Sequence, residues 1–246
     1  PNAMKDFLQT GVTSTNNVSV SGGSDKGNFR VSYSNMLHKG MIPNSDLNRN
    51  NLNTSVSFKI VDNLTFSSNV NLGRTSANDR PSTGDRQANA LEAVYASSYV
   101  DYNQMKNYWV PGQEEIQQLR TDAMDNPYFI AYGINNGFVR DRIFGNISLN
   151  YDFTDNFSLM VRHSLDRINE GRETKIPFSY SRAARGGYFI TDILSQETNS
   201  DFLATYKKDA GQLDFNVSVG GNIMHRESSS SSVGSGGNRN NGLVIP

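Results

Sequence analysis

Polar and apolar residues alternate along several long stretches of this chain, and a period of two marks β-strands whose faces meet different surroundings. Leu52, Thr54, Val56, Phe58 and Ile60 share one face, with Asn53, Ser55, Ser57 and Lys59 on the other. After Val61-Asp62-Asn63 the pattern resumes: Leu64, Phe66, Ser68, Val70 and Leu72 stand against Thr65, Ser67, Asn69 and Asn71. Asp and Asn hydrogen-bond nearby backbone and tolerate tight turns, so the two strands read as a hairpin. The unit recurs. Ile143, Gly145, Ile147, Leu149, Tyr151 and Phe153 run to a Thr154-Asp155-Asn156 turn, and Phe157, Leu159, Val161, His163 and Leu165 run back. The segments IVDNLTF (60–66) and FTDNFSL (153–159) align almost position for position.

Two weaker hairpins complete the set. Val18 and Val20 lead through Ser24-Asp25-Lys26-Gly27 to Phe29, Val31 and Tyr33; Phe202, Ala204 and Tyr206 lead through Lys207–Gln212 to Leu213, Phe215, Val217, Val219 and Ile223. The pattern predicts eight antiparallel strands in four hairpins, an all-β chain. Turns within hairpins are short. The links between hairpins read as long loops at about 38–48, 74–139 and 169–197, with another from 227 to 246. Transmembrane β-barrels show this asymmetry, with tight periplasmic turns and long extracellular loops, and strands of about 10 residues suffice to cross.

Alternation also occurs in soluble sandwiches. The character of the two faces separates the cases: one is rich in Asn, Ser, Asp and Arg, as a wet lumen requires, and the other is nearly free of charge, as lipid requires. An Arg or Lys facing lipid at mid-depth costs about 2–4 kcal/mol. Phe58, Phe66, Tyr151, Phe153 and Phe157 sit beside the short turns, where an interfacial aromatic girdle belongs.

The net charge is −1 over 246 residues, which argues against a nucleic-acid partner. There are no cysteines, so neither disulfides nor thiolate metal sites arise. No apolar run is long enough for a transmembrane helix. Pro1–Thr10 lacks the features of a signal peptide, so an exported protein is expected to carry its leader upstream. The N-x-S/T matches, such as Asn53 and Asn146, fall on strands or tight turns and are by-products of polar alternation.

Asn16–Gly40 (NNVSVSGGSDKGNFRVSYSNMLHKG) resembles the start of the barrel region in SusC/RagA-like TonB-dependent transporters. Met41–Leu52 (MIPNSDLNRNNL), the lead-in KDFLQTG (5–11), NPYF (126–129) and the Arg142–Asn156 strand and turn are similar to the same family. The resemblance covers most of the chain, its first fifty residues being the most specific part. It implies one transmembrane β-barrel domain, a stretch of a plugged barrel of about 22 strands. It also implies nutrient uptake: import of glycans, oligosaccharides or peptides, energised through TonB, with a SusD-like surface lipoprotein as lid. The implied location is a Gram-negative, Bacteroidetes-like outer membrane, with lipid around the wall. Eight strands would leave two bare edges, which a bilayer does not tolerate, so 1–246 is expected to be part of a larger polypeptide whose plug, TonB-contacting segment and remaining strands lie elsewhere.

No enzyme active site is expected. No nucleophile, base and orienting partner assemble, no G-x-S-x-G or P-loop occurs, and His38, His163 and His225 are far apart in sequence. No metal or cofactor is expected; Asp79/Asp85 and Asp122/Asp125 lack the calcium-loop spacing. Thr75–Val139 is where specificity would reside. Asp85 is placed to cap a helix from about Arg86 to Ser97, with Ala90, Leu91, Val94 and Tyr95 on one face, and Gln113–Thr121 reads as a second helix. Tyr95, Tyr99, Tyr102, Tyr108 and Trp109 form a candidate substrate- or partner-binding group, suited to stacking on sugar rings or meeting a protein lid; the competing reading is that the rings hold the loop together. Arg142, Arg162 and Asp166 form a candidate lumen charge network. Ser228–Gly237 reads as a mobile loop. The alternative function is a non-enzymatic soluble or surface carbohydrate-binding β-sandwich.

Overall fold

The computed structural model describes residues 3–84, 88–96, 101–120, 124–209, 211 and 213–236. Its frame is one antiparallel sheet of eight strands: β1 (Val12–Ser24), β2 (Gly27–Lys39), β3 (Asp46–Val61), β4 (Leu64–Ala77), β7 (Asn135–Thr154), β8 (Phe157–Tyr180), β9 (Ala183–Asp209) and β10 (Asp214–Gly236). Spatial order follows chain order throughout. The four expected hairpins are all present, and Asp62-Asn63 and Asp155-Asn156 turn the chain as their side chains suggested.

Register explains the two faces. Partners directly opposite in an antiparallel ladder share a side of the sheet. Phe58 faces Phe66, Phe66 faces Leu149, Leu149 faces Val161 and Val161 faces Phe202, so five strands place apolar groups in one row. On the reverse, Ser57 faces Ser67, Ser67 faces Ser148 and Ser148 faces Arg162. A one-residue slip anywhere would exchange the faces, so the turns fix the chemistry of the whole wall.

The apolar face has no cover. Among the described residues no second sheet packs on it, and Ile147 is 48% exposed, Val219 66% and Ile223 77%. A sandwich buries this face against another layer about 10 Å away. Here Leu52 and Phe66 are half-buried only because neighbours on the sheet crowd them, and Val217 is exposed.

The dry core lies elsewhere, at the end of the sheet away from the short turns. Between β4 and β7 the chain forms α2 (Ala90–Ala96), α3 (Tyr102–Met105), a small ribbon of β5 (Trp109–Val110) and β6 (Gln113–Gln117), and α4 (Pro127–Gly133). Ala93, Val94, Met105 and Phe129 are buried there, together with Phe7 of α1 (Ala3–Phe7) and with Tyr180 and Ala183 from the tip of the β8–β9 hairpin. Asn126 caps α4 by accepting from the Tyr128 and Phe129 amides, with Pro127 at the first turn, where its missing N–H costs nothing.

Several expectations need correction. Residues 169–197 are not a loop: β8 and β9 continue to a two-residue turn at Ser181-Arg182, their distal halves held by backbone pairing. Residues 227–236 likewise extend β10, so the serine tract lies on a strand, with Ser230 opposite Ile193. Residues 237–246 lie outside the described residues. The helix expected over 113–121 does not form in the described residues 113–120; the first part is β6, because pairing with β5 outweighs the helix preference of Gln and Glu. The helix expected over 86–97 spans Ala90–Ala96, and Asn89, accepting from the Leu91 and Glu92 amides, sits at its start. Asp85 falls outside the described residues.

Candidate functional site

Two regions carry functional groups: the polar face of β7–β9, and the packed insert at its end. On the polar face the strand pleat brings charges from different strands together. Arg142 on β7 meets Asp166 on β8, its Nε donating to Oδ1 at 2.9 Å and an Nη to Oδ2 at 2.6 Å. This two-pronged geometry suits the planar guanidinium. Arg162 does not join that pair. It bonds Asp201 on β9, directly opposite, with Nη2 to Oδ1 at 3.0 Å. Arg142 and Asp166 are thus brought together, while Arg162 belongs to a separate couple.

The strongest charge cluster escaped the sequence reading. Glu170 is buried, and both its carboxylate oxygens are held: Arg140 of β7 donates to one, and Arg172, two residues along β8, to the other at 2.5 Å. A buried carboxylate gripped by two guanidinium groups is costly to break, since removing either partner strands charge. The i, i+2 spacing of Glu170 and Arg172 places them on one face. Arg140 becomes their partner only through the β7–β8 register. The column therefore alternates sign, Arg162–Asp201, Arg142–Asp166, Arg140–Glu170–Arg172, along the polar face.

At the end of the sheet, the insert is pinned by buried polar groups. Asp125 accepts from the Ser181 amide at 3.0 Å and its hydroxyl at 2.6 Å, clamping the β8–β9 turn. Gln117 donates to Asp125 and to the Ser179 carbonyl, and accepts from the Asn126 amide at 3.1 Å. Asn126, fully buried, donates to the Met105 and Gln118 carbonyls. A second clamp joins three strand ends: Asp46 accepts from the Asn78 and Asp79 amides, and Asp79 from the Asn136 amide at 2.8 Å. Burial pushes the Asp79 carboxyl above its ordinary range, against the Asn136 hydrogen bond; the nearby Asp46 carboxylate adds to the rise. Asp79 is thus spent on backbone, and Asp125 on the Ser181 backbone and hydroxyl and on the Gln117 side chain. Among the described residues no group of three His, Asp or Glu could hold a metal.

The aromatic group separates into distinct roles. Tyr102 is buried, its ring 6.4 Å from Phe7, and its hydroxyl donates to the Val94 carbonyl at 2.8 Å. Burial pushes this phenol up to about 12. Tyr108 and Trp109 pack on each other at 5.2 Å, and Trp109 meets the Phe129 edge at 5.3 Å. These three hold the insert together. Tyr95 is 81% exposed and free for contact; Tyr99 lies outside the described residues. Tyr132, which the sequence reading passed over, is half-exposed and stacked on Tyr128 at 6.5 Å.

Neither a known family pattern nor a curated protein sequence matches the chain. Solved structures do. Over 96% of its length the chain superimposes on a chain of the RagAB peptide importer in its closed-closed state, with a TM-score of 0.74 and 15% identity. The importer in its open-open state gives the same TM-score and identity, and a further structure of the RagAB peptide transporter gives 0.71 at 16%. The chain spans about a quarter of the length of these proteins, 26–27%. The all-β fold expected from the pattern, and its likeness to a stretch of a chain of the RagAB importer, are thereby shown.

Proposed function

We propose that this chain is a stretch of the wall of a TonB-dependent outer-membrane importer of the SusC/RagA type. The carrying observation is the pairing of an uncovered apolar face with a polar one along a single sheet, the polar one carrying ion pairs on β7–β9. Lipid is the surrounding that makes the first face favourable, and a water-filled or plugged lumen accommodates the second.

The apolar band supports this quantitatively. On β7 it runs from Ile143 to Phe153, eleven residues and ten steps, or roughly 33 Å along the strand. At a tilt near 40° that is about 25 Å of depth, the height of an outer-membrane barrel's apolar belt. Beyond Ile143 the same face turns polar, at Asp141 and Arg74, and the insert then stands on the extracellular side. The remaining strands, a plug and a TonB-contacting segment belong to the longer protein.

The transported solute is read as a glycan, oligosaccharide or peptide, with a SusD-like lipoprotein closing over the insert. Tyr95 and Tyr132 are the exposed rings available to such a lid or solute. The Arg142–Asp166 and Arg162–Asp201 pairs line the lumen side, and the chain performs no chemistry on its cargo.

The test uses the full-length protein in its own cell envelope. It should fractionate with outer membranes, need detergent for extraction, and support uptake that stops when the inner-membrane proton gradient is collapsed. Recovery in the aqueous supernatant, or uptake indifferent to the gradient, would overturn the proposal. Val56→Arg, on the apolar face, should hinder assembly, whereas Asn69→Arg, on the polar face, should be tolerated.

A further inference from the structure

The apolar band ends abruptly on β3, β4, β7 and β8, and a groove of about 370 Å³ straddles its upper border. Its lower wall is Leu52, Leu72 and Ile143, which stand directly opposite one another across three strands. Two residues further along each strand the same face carries Asn50, Arg74 and Asp141, with Arg167 opposite Ile143 on β8. Arg74 reaches Asp141 at 3.2 Å and remains 64% exposed. Arg167 is exposed and pairs with no carboxylate among the described residues. Two guanidinium groups and a single carboxylate therefore share one short stretch, leaving one cation over.

This placement is specific. Arg140, Arg142, Arg162 and Arg172 are all paired on the polar face. Arg167 alone among the β7–β8 arginines points to the apolar side, at the height where that side meets water. A guanidinium there keeps its stem on apolar surface and its head in the polar zone, and its planar fork matches phosphate oxygens. The Tyr33 hydroxyl, donating to Asn50 at 2.7 Å, supplies further polar surface at the same height.

We infer that this groove binds a phosphate-bearing lipid of the outer leaflet, with acyl chain on Leu52, Leu72 and Ile143 and phosphate between Arg74 and Arg167. The inference rests on the barrel reading above, since only then does this face look outward into lipid. A free anion would use the arginines but gain nothing from the leucine floor; a lipid uses both halves of the groove at once.

The experiment takes the full-length protein in mild detergent and measures bound lipid by native mass spectrometry. The probes are phosphatidic acid and phosphatidylcholine of equal chain length. Wild-type protein should retain phosphatidic acid over phosphatidylcholine, and Arg74→Gln/Arg167→Gln should lose that preference by roughly tenfold or more. Lys175→Gln, which removes a cation paired with Glu173 outside the groove, should leave it intact. Retention within about twofold in the double variant would overturn the inference, and so would equal displacement by inorganic phosphate, which would mark a free-anion site. Outer-membrane fractionation separates the two readings. If the double variant assembles normally yet keeps its lipid, the headgroup site fails and the barrel stands. If wild-type protein is aqueous, the barrel reading has failed first.

Discussion

Ile147→Arg and Asn146→Arg place the same charge on adjacent residues of β7 and on opposite faces of the wall. Ile147 is half-exposed, opposite Ser68 and His163, within one residue of the centre of the band from Ile143 to Phe153. Asn146 lies opposite Asn69 and Ser164 on the polar face. If lipid covers Ile147, an arginine there must be dehydrated or must thin the bilayer, costing about 2–4 kcal/mol at mid-depth. That is roughly a 30- to 700-fold loss in the folding equilibrium. At Asn146 the guanidinium enters a hydrated surface, and the change should stay within about 0.5 kcal/mol. The assay is denaturant-driven unfolding of the full-length protein in lipid vesicles, followed by heat-modifiable migration on gels, with outer-membrane yield in cells as a second readout. A soluble protein gives a different answer: Ile147 would already face water, and its replacement would cost no more than that of Asn146. Equal effects at the two sites, or a larger one at Asn146, would refute the reasoning.

Asn126→Ala removes a cap and two buried donors, so the insert should lose about 2–4 kcal/mol of local stability; hydrogen exchange should quicken in 101–134 and remain slow in β7 and β8. Gly145→Ala would set a Cβ 2.0 Å from the Asn69 carbonyl oxygen, so β4 and β7 must part or shift, and assembled protein in outer membranes should fall sharply. Burial raises the Tyr102 phenol from 10.0 to about 12, so folding favours its neutral form. The stability it contributes is therefore complete below pH 10 and is lost as pH rises through about 12. Hydrogen exchange around α2 and α3 should accelerate across that window in wild-type protein and much less in Tyr102→Phe.

The parts of this fold that a reader of the sequence could see are those where the two faces differ. Within the band, Leu64 to Leu72 alternate between apolar and polar, the sorting that the proposed lipid and water sides would impose, and the Asp-Asn turns between strands are visible for their own chemistry. Above the band both faces are wet, and the signal vanishes. Asn169-Glu170-Gly171-Arg172 has no apolar period and reads as loop, yet it is strand, held by the ladder to β7 and β9 and by the grip of Arg140 and Arg172 on Glu170. The serine tract of β10 is hidden for the same reason. Charge pairing depends on register. Arg162 and Asp166 lie on one face of β8, but Asp201 stands opposite Arg162 and takes it. In the insert, the aromatic residues were visible as a group, but their division was not. Whether a ring packs, as Trp109 does on Phe129, or projects, as Tyr95 does, depends on contacts between segments distant in sequence.

Because 1–246 contains no cysteine, single cysteines along β7 can carry spin labels throughout this segment. Labels at 143 to 153 in vesicle-embedded protein should show collision with dissolved oxygen peaking at every odd position and with a water-soluble nickel chelate at every even one. Loss of that alternation, or chelate access at 147 and 149 equal to that at 146 and 148, would contradict a wall with lipid on one side and water on the other.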